Sequence, residues 1–215
     1  MKSKSIKKML AATLTATMLM ASAVTAAASS GSSGGSSESS EEAVVETYAS
    51  KHSQSAGATI TVGGKEVKTS VEGVYAANSV QGVAVTTALA DVKAALGLTG
   101  SQRPVIIIYD TDVKKSDKAM ACVNAAVEAI GGELTATLNV DLGAKDNSGK
   151  WITLSDGSVA MATGLPKGAD TSKTYSIVCV QPGGVVTILE DKDTNPATVT
   201  FEVKAGLGTY AIVAE

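Results

Sequence analysis

Histidine and aromatic residues are scarce in this sequence. The single histidine is His52, and the aromatic residues among 215 are five tyrosines, one tryptophan and one phenylalanine. A Ser-His-Asp or Cys-His catalytic centre needs a histidine inside the folded domain, and His52 lies close to a Ser/Gly/Glu-rich stretch, which argues against such a centre. So few aromatic side chains also disfavour a sugar-stacking platform and predict a core of Val, Ile, Leu and Ala. The large side chains expected to fill that core are Tyr75, Tyr109, Trp151, Tyr175, Phe201 and Tyr210.

Positive charge is sparse as well. Arg103 is the only arginine, and no cluster of lysines forms a basic stripe. The chain has 18 basic and 21 acidic residues, and removal of residues 1–28, with four lysines and no acid, would leave 14 against 21, a net charge of about −7. Nucleic-acid binding depends on cations that contact phosphates, so we expect no nucleic-acid partner.

Residues 1–28 have the pattern of a secretory signal peptide. Its basic residues are Lys2, Lys4, Lys7 and Lys8. An apolar run over residues 9–20 and small residues over 21–28 follow, with an Ala-x-Ala-like cleavage site. The apolar run is interrupted by threonines and is short for a membrane span. We therefore predict a secreted or cell-surface protein with no membrane span after cleavage.

The chain after the signal divides into a spacer and a mixed segment. Residues 29–56 are rich in Ser, Gly and Glu and cannot bury enough apolar area to fold. Residues 57–132 are predicted to form a mixed α/β half, with a hairpin around Gly63-Gly64 and two helices over residues 87–97 and 116–130. The predicted N-cap of the second helix is Ser116, and its apolar stripe is Met120, Val123, Val127 and Ile130. Between the helices, the apolar run 104–109 is typical of a strand buried on both faces.

Residues 133–215 are predicted to form a β-sandwich-like half. Four β-rich segments are separated by turn residues, at 174–180, 185–189, 197–203 and 209–213. Short strands at this spacing are typical of sandwiches and barrels. The predicted fold class is therefore α+β, with two halves joined near residue 133 that can share one core.

The last third of the chain resembles a known module. The segments that carry the resemblance are 138–142, 164–166, 175–180, 183–189, 198–201 and 208–213. They resemble the C-terminal β-module of exported and cell-surface proteins of Gram-positive (Firmicute) bacteria. That module often ends in Phe-x-x-Phe-Ser-x-Tyr-Ala; here Tyr210-Ala211 matches its end, and Gly206-Leu-Gly208 stands where Phe-Ser is usual. The resemblance implies a location, a β architecture and an anaerobic host, but no catalysis.

The two cysteines, Cys122 and Cys179, fit two interpretations. In an exported chain they could pair as a disulfide. Alternatively, both are buried free thiols that act as small hydrophobic residues. The anaerobic host that the resemblance implies would make disulfides scarce, which favours free thiols.

Asp110 and Asp112 are the sharpest catalytic candidates. They follow the Ile-rich run, an arrangement similar to that of haloacid-dehalogenase-type phosphatases, whose first aspartate is a nucleophile and whose second is an acid/base. The alternative is a polar loop that leads into the helix at Ser116. The loop is favoured, because that enzyme class needs further strand–helix units and the chain continues as β structure.

Asp191, Asp193 and Asn195 are the candidate metal ligands. They alternate oxygen-bearing side chains as calcium loops do, without the loop glycine and the distal glutamate of such loops. The alternative is that Asp, Asn and Pro make a hairpin turn here. Calcium is the only cofactor that the sequence suggests.

The sequence therefore predicts an exported, non-enzymatic interaction or adhesion-type protein, whose partner is an extracellular protein or a glycan. One alternative is a metal-assisted extracellular hydrolase that uses Asp110 and Asp112. Another is a structural component of an envelope assembly, suggested by edge strands in the β half.

Overall fold

The structure, a computed structural model, describes residues 58–62 and 64–215. The predicted signal peptide and the whole of the predicted spacer lie outside the described residues. The strands are β1 (Thr59–Val62), β2 (Lys65–Lys68), β3 (Glu72–Ala76), β4 (Val83–Val85), β5 (Arg103–Asp110), β6 (Glu133–Lys145), β7 (Trp151–Ile152), β8 (Ser158–Gly164), β9 (Tyr175–Gln181), β10 (Val185–Glu190), β11 (Thr198–Lys204) and β12 (Gly206–Ala214). The helices are α1 (Leu89–Ala95) and α2 (Asp117–Ile130).

The described strands form three sheets, so the fold is mixed α+β and mostly sheet. The large sheet has the order β10-β9-β12-β6-β5-β3, with β7 paired to β6. All of its pairs are antiparallel except β3 with β5. A second sheet has the order β11-β8-β4, and β1 with β2 forms the hairpin predicted around two glycines. The large sheet contains strands from both sides of residue 133.

The main hydrophobic core lies between the large sheet and the three-stranded sheet. Ile106, Leu138 and Tyr210 come from the large sheet, and Met161 and Phe201 come from the three-stranded sheet. The rings of Phe201 and Tyr210 stack with their centroids 5.6 Å apart. Val92 and Leu96 of the α1 region join the same core. Both predicted halves therefore contribute to one core.

Helix α2 covers the other face of the large sheet. Its buried residues Met120, Val123 and Val127 pack with Val178 of β9 and Val213 of β12, as the predicted stripe requires. The helix ends at a left-handed glycine, Gly131, with φ 69°. The N-cap position is Ser116 as predicted, but its side chain makes no capping hydrogen bond.

Two expectations about strands and aromatic residues need correction. In β5 only one face is fully buried, with Ile106 and Ile108, whereas Val105 and Ile107 are half-buried. The reason is that α2 lies over β9 and β12 at the other side of the sheet. Of the six large residues expected as core fillers, Tyr75, Phe201 and Tyr210 are buried, and Tyr109, Trp151 and Tyr175 are half-buried.

The hydroxyl of Thr163 is buried without a hydrogen-bond partner among the described residues. Its neighbours across the sheet are Val83 and Val199. Because an unsatisfied buried hydroxyl costs about 1–3 kcal/mol, we expect Thr163→Val to raise the free energy of unfolding by about 1 kcal/mol. Urea denaturation would measure the change.

A matched control is Thr209→Val in β12. Thr209 is also buried, but its hydroxyl donates a hydrogen bond to Asn139 Oδ1 at 2.8 Å. We expect Thr209→Val to lower the free energy of unfolding by about 1 kcal/mol. If both variants changed the free energy of unfolding in the same direction, the contrast between an unsatisfied Thr163 hydroxyl and a hydrogen-bonded Thr209 hydroxyl would be contradicted.

Candidate functional site

Asp110, the first candidate catalytic residue, anchors a neighbouring loop. Strands β3 and β5 are parallel, so their carboxyl ends meet at one edge of the sheet. There the Asp110 carboxylate accepts hydrogen bonds from the backbone N–H of Asn78 (2.8 Å), the backbone N–H of Ser79 (3.0 Å) and the Ser79 hydroxyl (2.5 Å). These three bonds give Asp110 a structural role in holding the loop after β3.

Asp112 makes a local turn of its own. Its Oδ1 accepts hydrogen bonds from the backbone N–H of Lys114 (3.0 Å) and Lys115 (3.4 Å), and the Lys115 ammonium is 3.7 Å from Oδ2. The two carboxylates therefore bind different loops. This arrangement matches the polar loop that leads into α2, the alternative to a phosphatase site.

A buried asparagine ties this loop to the sheet. Asn139 lies in the middle of β6, and its Oδ1 accepts hydrogen bonds from the hydroxyls of Thr111 (3.2 Å) and Thr209 (2.8 Å). Its Nδ2 donates to Ser116 Oγ at 3.5 Å. Because a buried amide must be hydrogen-bonded, this cluster fixes the start of α2 on the sheet.

The candidate calcium ligands lie in the connection from β10 to β11. This connection passes from the large sheet to the three-stranded sheet, so the predicted hairpin turn is wrong. Asp191 Oδ1 accepts hydrogen bonds from the backbone N–H of Asp193 (3.1 Å) and Thr200 (2.8 Å). Burial raises the pKa of the Asp191 carboxyl.

The other two candidate ligands also bond to their own loop. Asp193 Oδ1 accepts from the backbone N–H of Asn195 (2.8 Å), and Oδ2 accepts from the hydroxyls of Thr198 (3.0 Å) and Thr200 (2.7 Å). Asn195 Oδ1 accepts from the backbone N–H of Ala197 (3.1 Å). Within residues 58–62 and 64–215 no three His, Cys, Asp or Glu side chains are grouped to hold a metal. A calcium ion would compete with these bonds, and its binding remains a prediction.

Asp193→Ala tests what this connection does. The change removes an acceptor for two hydroxyls and one backbone N–H, so we expect a loss of about 2 kcal/mol in the free energy of unfolding. The control Thr194→Ala, at an exposed neighbouring position, should stay within about 0.5 kcal/mol. Calcium chloride that raised the Tm of the wild type but not of Asp193→Asn would support the calcium prediction.

The two cysteines are free thiols on opposite faces of the large sheet. Cys122 packs with the cluster under α2, and Cys179 lies in the main core. Burial raises the pKa of the Cys179 thiol. The sheet separates the two sulfur atoms, so they do not pair in this fold.

A polar cleft of about 400 Å³ opens where β9 and β11 end and β8 begins. Its polar lining residues are Ser155, Asp156, Ser158, Gln181 and Lys204. The Lys204 ammonium donates to Gln181 Oε1 at 3.4 Å, and Asp156 accepts from the backbone N–H of Gly157 at 2.8 Å. The hydrogen-bond partner of the Lys204 ammonium is therefore the side-chain amide of Gln181, not a serine hydroxyl of the cleft.

The outer edge of β10 carries three of the seven exposed large apolar side chains of the described residues. Val185, Val186 and Ile188 are 55%, 36% and 47% exposed. β10 is the end strand of the large sheet and pairs only with β9 among the described residues. Such an edge offers unpaired backbone N–H and C=O groups to an incoming strand.

Comparisons with known proteins identify no relative. No protein-family model matches the chain, and no match was found among curated proteins or solved structures.

Sequence reasoning missed the cleft, and it expected edge strands in the β half without identifying β10 as one of them. The cleft brings together residues 155–158, 181 and 204, which no local spacing connects. Residues 185–189 were predicted as a strand, but a strand at the end of a sheet has the same sequence signal as one in the middle. Only the absence of charge between Val185 and Leu189 could have drawn attention to it.

Neither described helix has the length and apolarity that a membrane-spanning helix requires.

Proposed function

We propose that this chain is an exported, non-enzymatic interaction protein of the cell surface or extracellular space, which binds an extracellular protein or glycan. The observation that carries the proposal is the outer edge of β10, with Val185, Val186 and Ile188 exposed on the end strand of a sheet. An exposed apolar edge of this kind favours recognition by strand addition. The protein partner is therefore preferred over the glycan.

Further support comes from the predicted signal peptide and from the resemblance to Firmicute surface modules. The proposal includes a sandwich-like arrangement of the C-terminal half, which the shared core between the two larger sheets favours. The structural roles of Asp110 and Asp112 make the hydrolase the weaker alternative. The location at the cell surface or in the extracellular space is likewise part of this proposal.

Binding assays on the full chain test this function. Envelope proteins and glycans would be presented to the wild type, to Ile188→Lys in the edge and to Val113→Lys, a control at a loop residue that is 60% exposed. We expect protein binding that Ile188→Lys weakens by about tenfold or more and that Val113→Lys preserves. Binding that neither Ile188→Lys nor Val113→Lys weakened would refute a function based on the β10 edge.

A second arm tests the hydrolase. Phosphoesterase and peptidase activity would be measured with divalent metals added, for the wild type and for Asp110→Asn combined with Asp112→Asn. A metal-dependent activity that the double variant loses would replace the proposed function. An activity that the double variant retains would come from other residues of the chain or from a contaminant in the preparation.

A further inference from the structure

The β10 edge differs from both edges of the three-stranded sheet, β4 and β11. The edge of β4 is bonded by the N–H of Ser70, which donates to Val85 O at 3.0 Å. The edge of β11 is bonded on both sides of Thr200, whose carbonyl accepts from Lys192 N (2.8 Å) and whose N–H donates to Asp191 Oδ1 (2.8 Å). Those edges have local partners, and β10 has none there besides β9.

Protective features are missing from β10 except at its last residue, the exposed Glu190. Native edge strands are usually guarded by charges, proline or bulges. The opposite end strand, β3, carries the exposed Glu72. β10 has neither charge nor proline from Val185 to Leu189, and its register with β9 is regular over all six residues. Residues 185–189 therefore lack the charges, proline and bulges that usually block the addition of a further strand.

We propose that β10 pairs antiparallel with β10 of a second copy of this chain, about a two-fold axis beside Thr187. This inference rests on the proposed interaction function and names its partner. The pairing places Val186 opposite Ile188 of the second copy, Val185 opposite Leu189, and Thr187 opposite itself. Apolar and β-branched side chains thus meet one another at every position from Val185 to Leu189.

The faces of the sheet agree with this register. Val186 and Ile188 are paired with Val180 and Val178 of β9, so they lie on the face that α2 covers. Leu189 packs against the main core on the other face. Because the pairing joins residues of the same face, the two large sheets continue as one, with both copies of α2 on the same side.

Charge does not oppose the contact locally. Glu190, the only charged residue of β10, falls opposite Gly184 of the second copy. The negative net charge of each copy, −3 for the full chain and about −7 without residues 1–28, repels at longer range, and a six-residue edge is a small interface. We therefore expect a dimer of micromolar affinity that tightens as salt screens the repulsion.

Sedimentation equilibrium of the full chain tests the dimer. The wild type should form dimers at micromolar concentration. Ile188→Lys should weaken self-association by at least about tenfold, since lysine blocks edge pairing, whereas Val113→Lys should not. Every variant carries the same residues 1–57, so any association through them is common to all. A wild type that stayed monomeric at hundreds of micromolar, or an Ile188→Lys variant that still dimerised, would overturn the proposal.

Cross-linking tests the register. Thr187→Cys, with Cys122→Ser and Cys179→Ala to remove the native thiols, places one cysteine beside the two-fold axis. Oxidised glutathione should convert it to a disulfide-linked dimer at least about tenfold faster than Val113→Cys in the same background, since directly opposed residues have Cβ atoms about 4.5–5.5 Å apart. Equal rates would overturn this register.

The two proposals fail separately. A monomeric chain whose edge captures a strand of another extracellular protein would keep the proposed function and reject the second copy. A dimer with the expected cross-link that binds no envelope component would keep the dimer and reject the broader function.

Discussion

Phe201→Ala is expected to reduce the free energy of unfolding by about 3–5 kcal/mol, a large part of the 5–15 kcal/mol typical of a domain. Phe201 is completely buried in β11, and its ring stacks on Tyr210 of β12, so it joins the two sheets across the main core. Removing the ring leaves a cavity that neighbouring strands, held by their own hydrogen bonds, can fill only in part. Urea denaturation at constant pH would measure the loss.

Two variants calibrate this result. Phe201→Leu keeps most of the buried volume, so it should lower the free energy of unfolding by less than half as much as Phe201→Ala. Val113→Ala, at an exposed loop position, should stay within about 0.5 kcal/mol. A loss below about 1 kcal/mol in Phe201→Ala would mean that the sheets do not pack through this contact.

Gly73→Ala is expected to displace β3 from the large sheet. Gly73 lies opposite Ile106 in the parallel β3–β5 pair, and a Cβ atom at this position would overlap the carbonyl oxygen of Ile106. Backbone cannot move aside as a flexible side chain can, so we expect a cost of about 3 kcal/mol. The displacement would also disturb Tyr75, whose hydroxyl donates to Val71 O at 2.7 Å.

Hydrogen exchange distinguishes displacement of one strand from global loss of stability. In Gly73→Ala the amides of β5 should exchange faster, while those of β9 and β12 keep their relative protection. Glu72→Ala, at the adjacent exposed position of the same strand, should change the stability by less than about 0.5 kcal/mol. Unchanged exchange in β5 would contradict the close contact.

The elements that were predicted correctly have strong local signals. Helix α2 has an apolar stripe with a 3.6-residue period and a terminal glycine, and the β1–β2 hairpin alternates around two glycines. Strand β8 was not identified, because Ala160, Ala162 and Gly164 have little intrinsic strand preference. Ala162 instead packs with Ile60 of the hairpin, a contact about a hundred residues away in sequence that no local pattern reveals.

The candidate sites show the same division between local and distant information. The loop bonds of Asp193 and Asn195 lie within a few residues, so their turn-forming role was predictable from composition. The partners of Asp110, Asn78 and Ser79, are about thirty residues earlier and are placed by the parallel pairing of β3 with β5. The exposure of the β10 edge likewise depends on strand order, which sequence periodicity does not encode.

The place of β12 has a consequence for folding during synthesis. This strand follows all the others along the chain, yet it lies between β9 and β6 in the middle of the large sheet. Until residues 206–214 have left the ribosome, the β9–β10 hairpin has no neighbour to join. The large sheet therefore cannot be completed until the last of its strands has been synthesised.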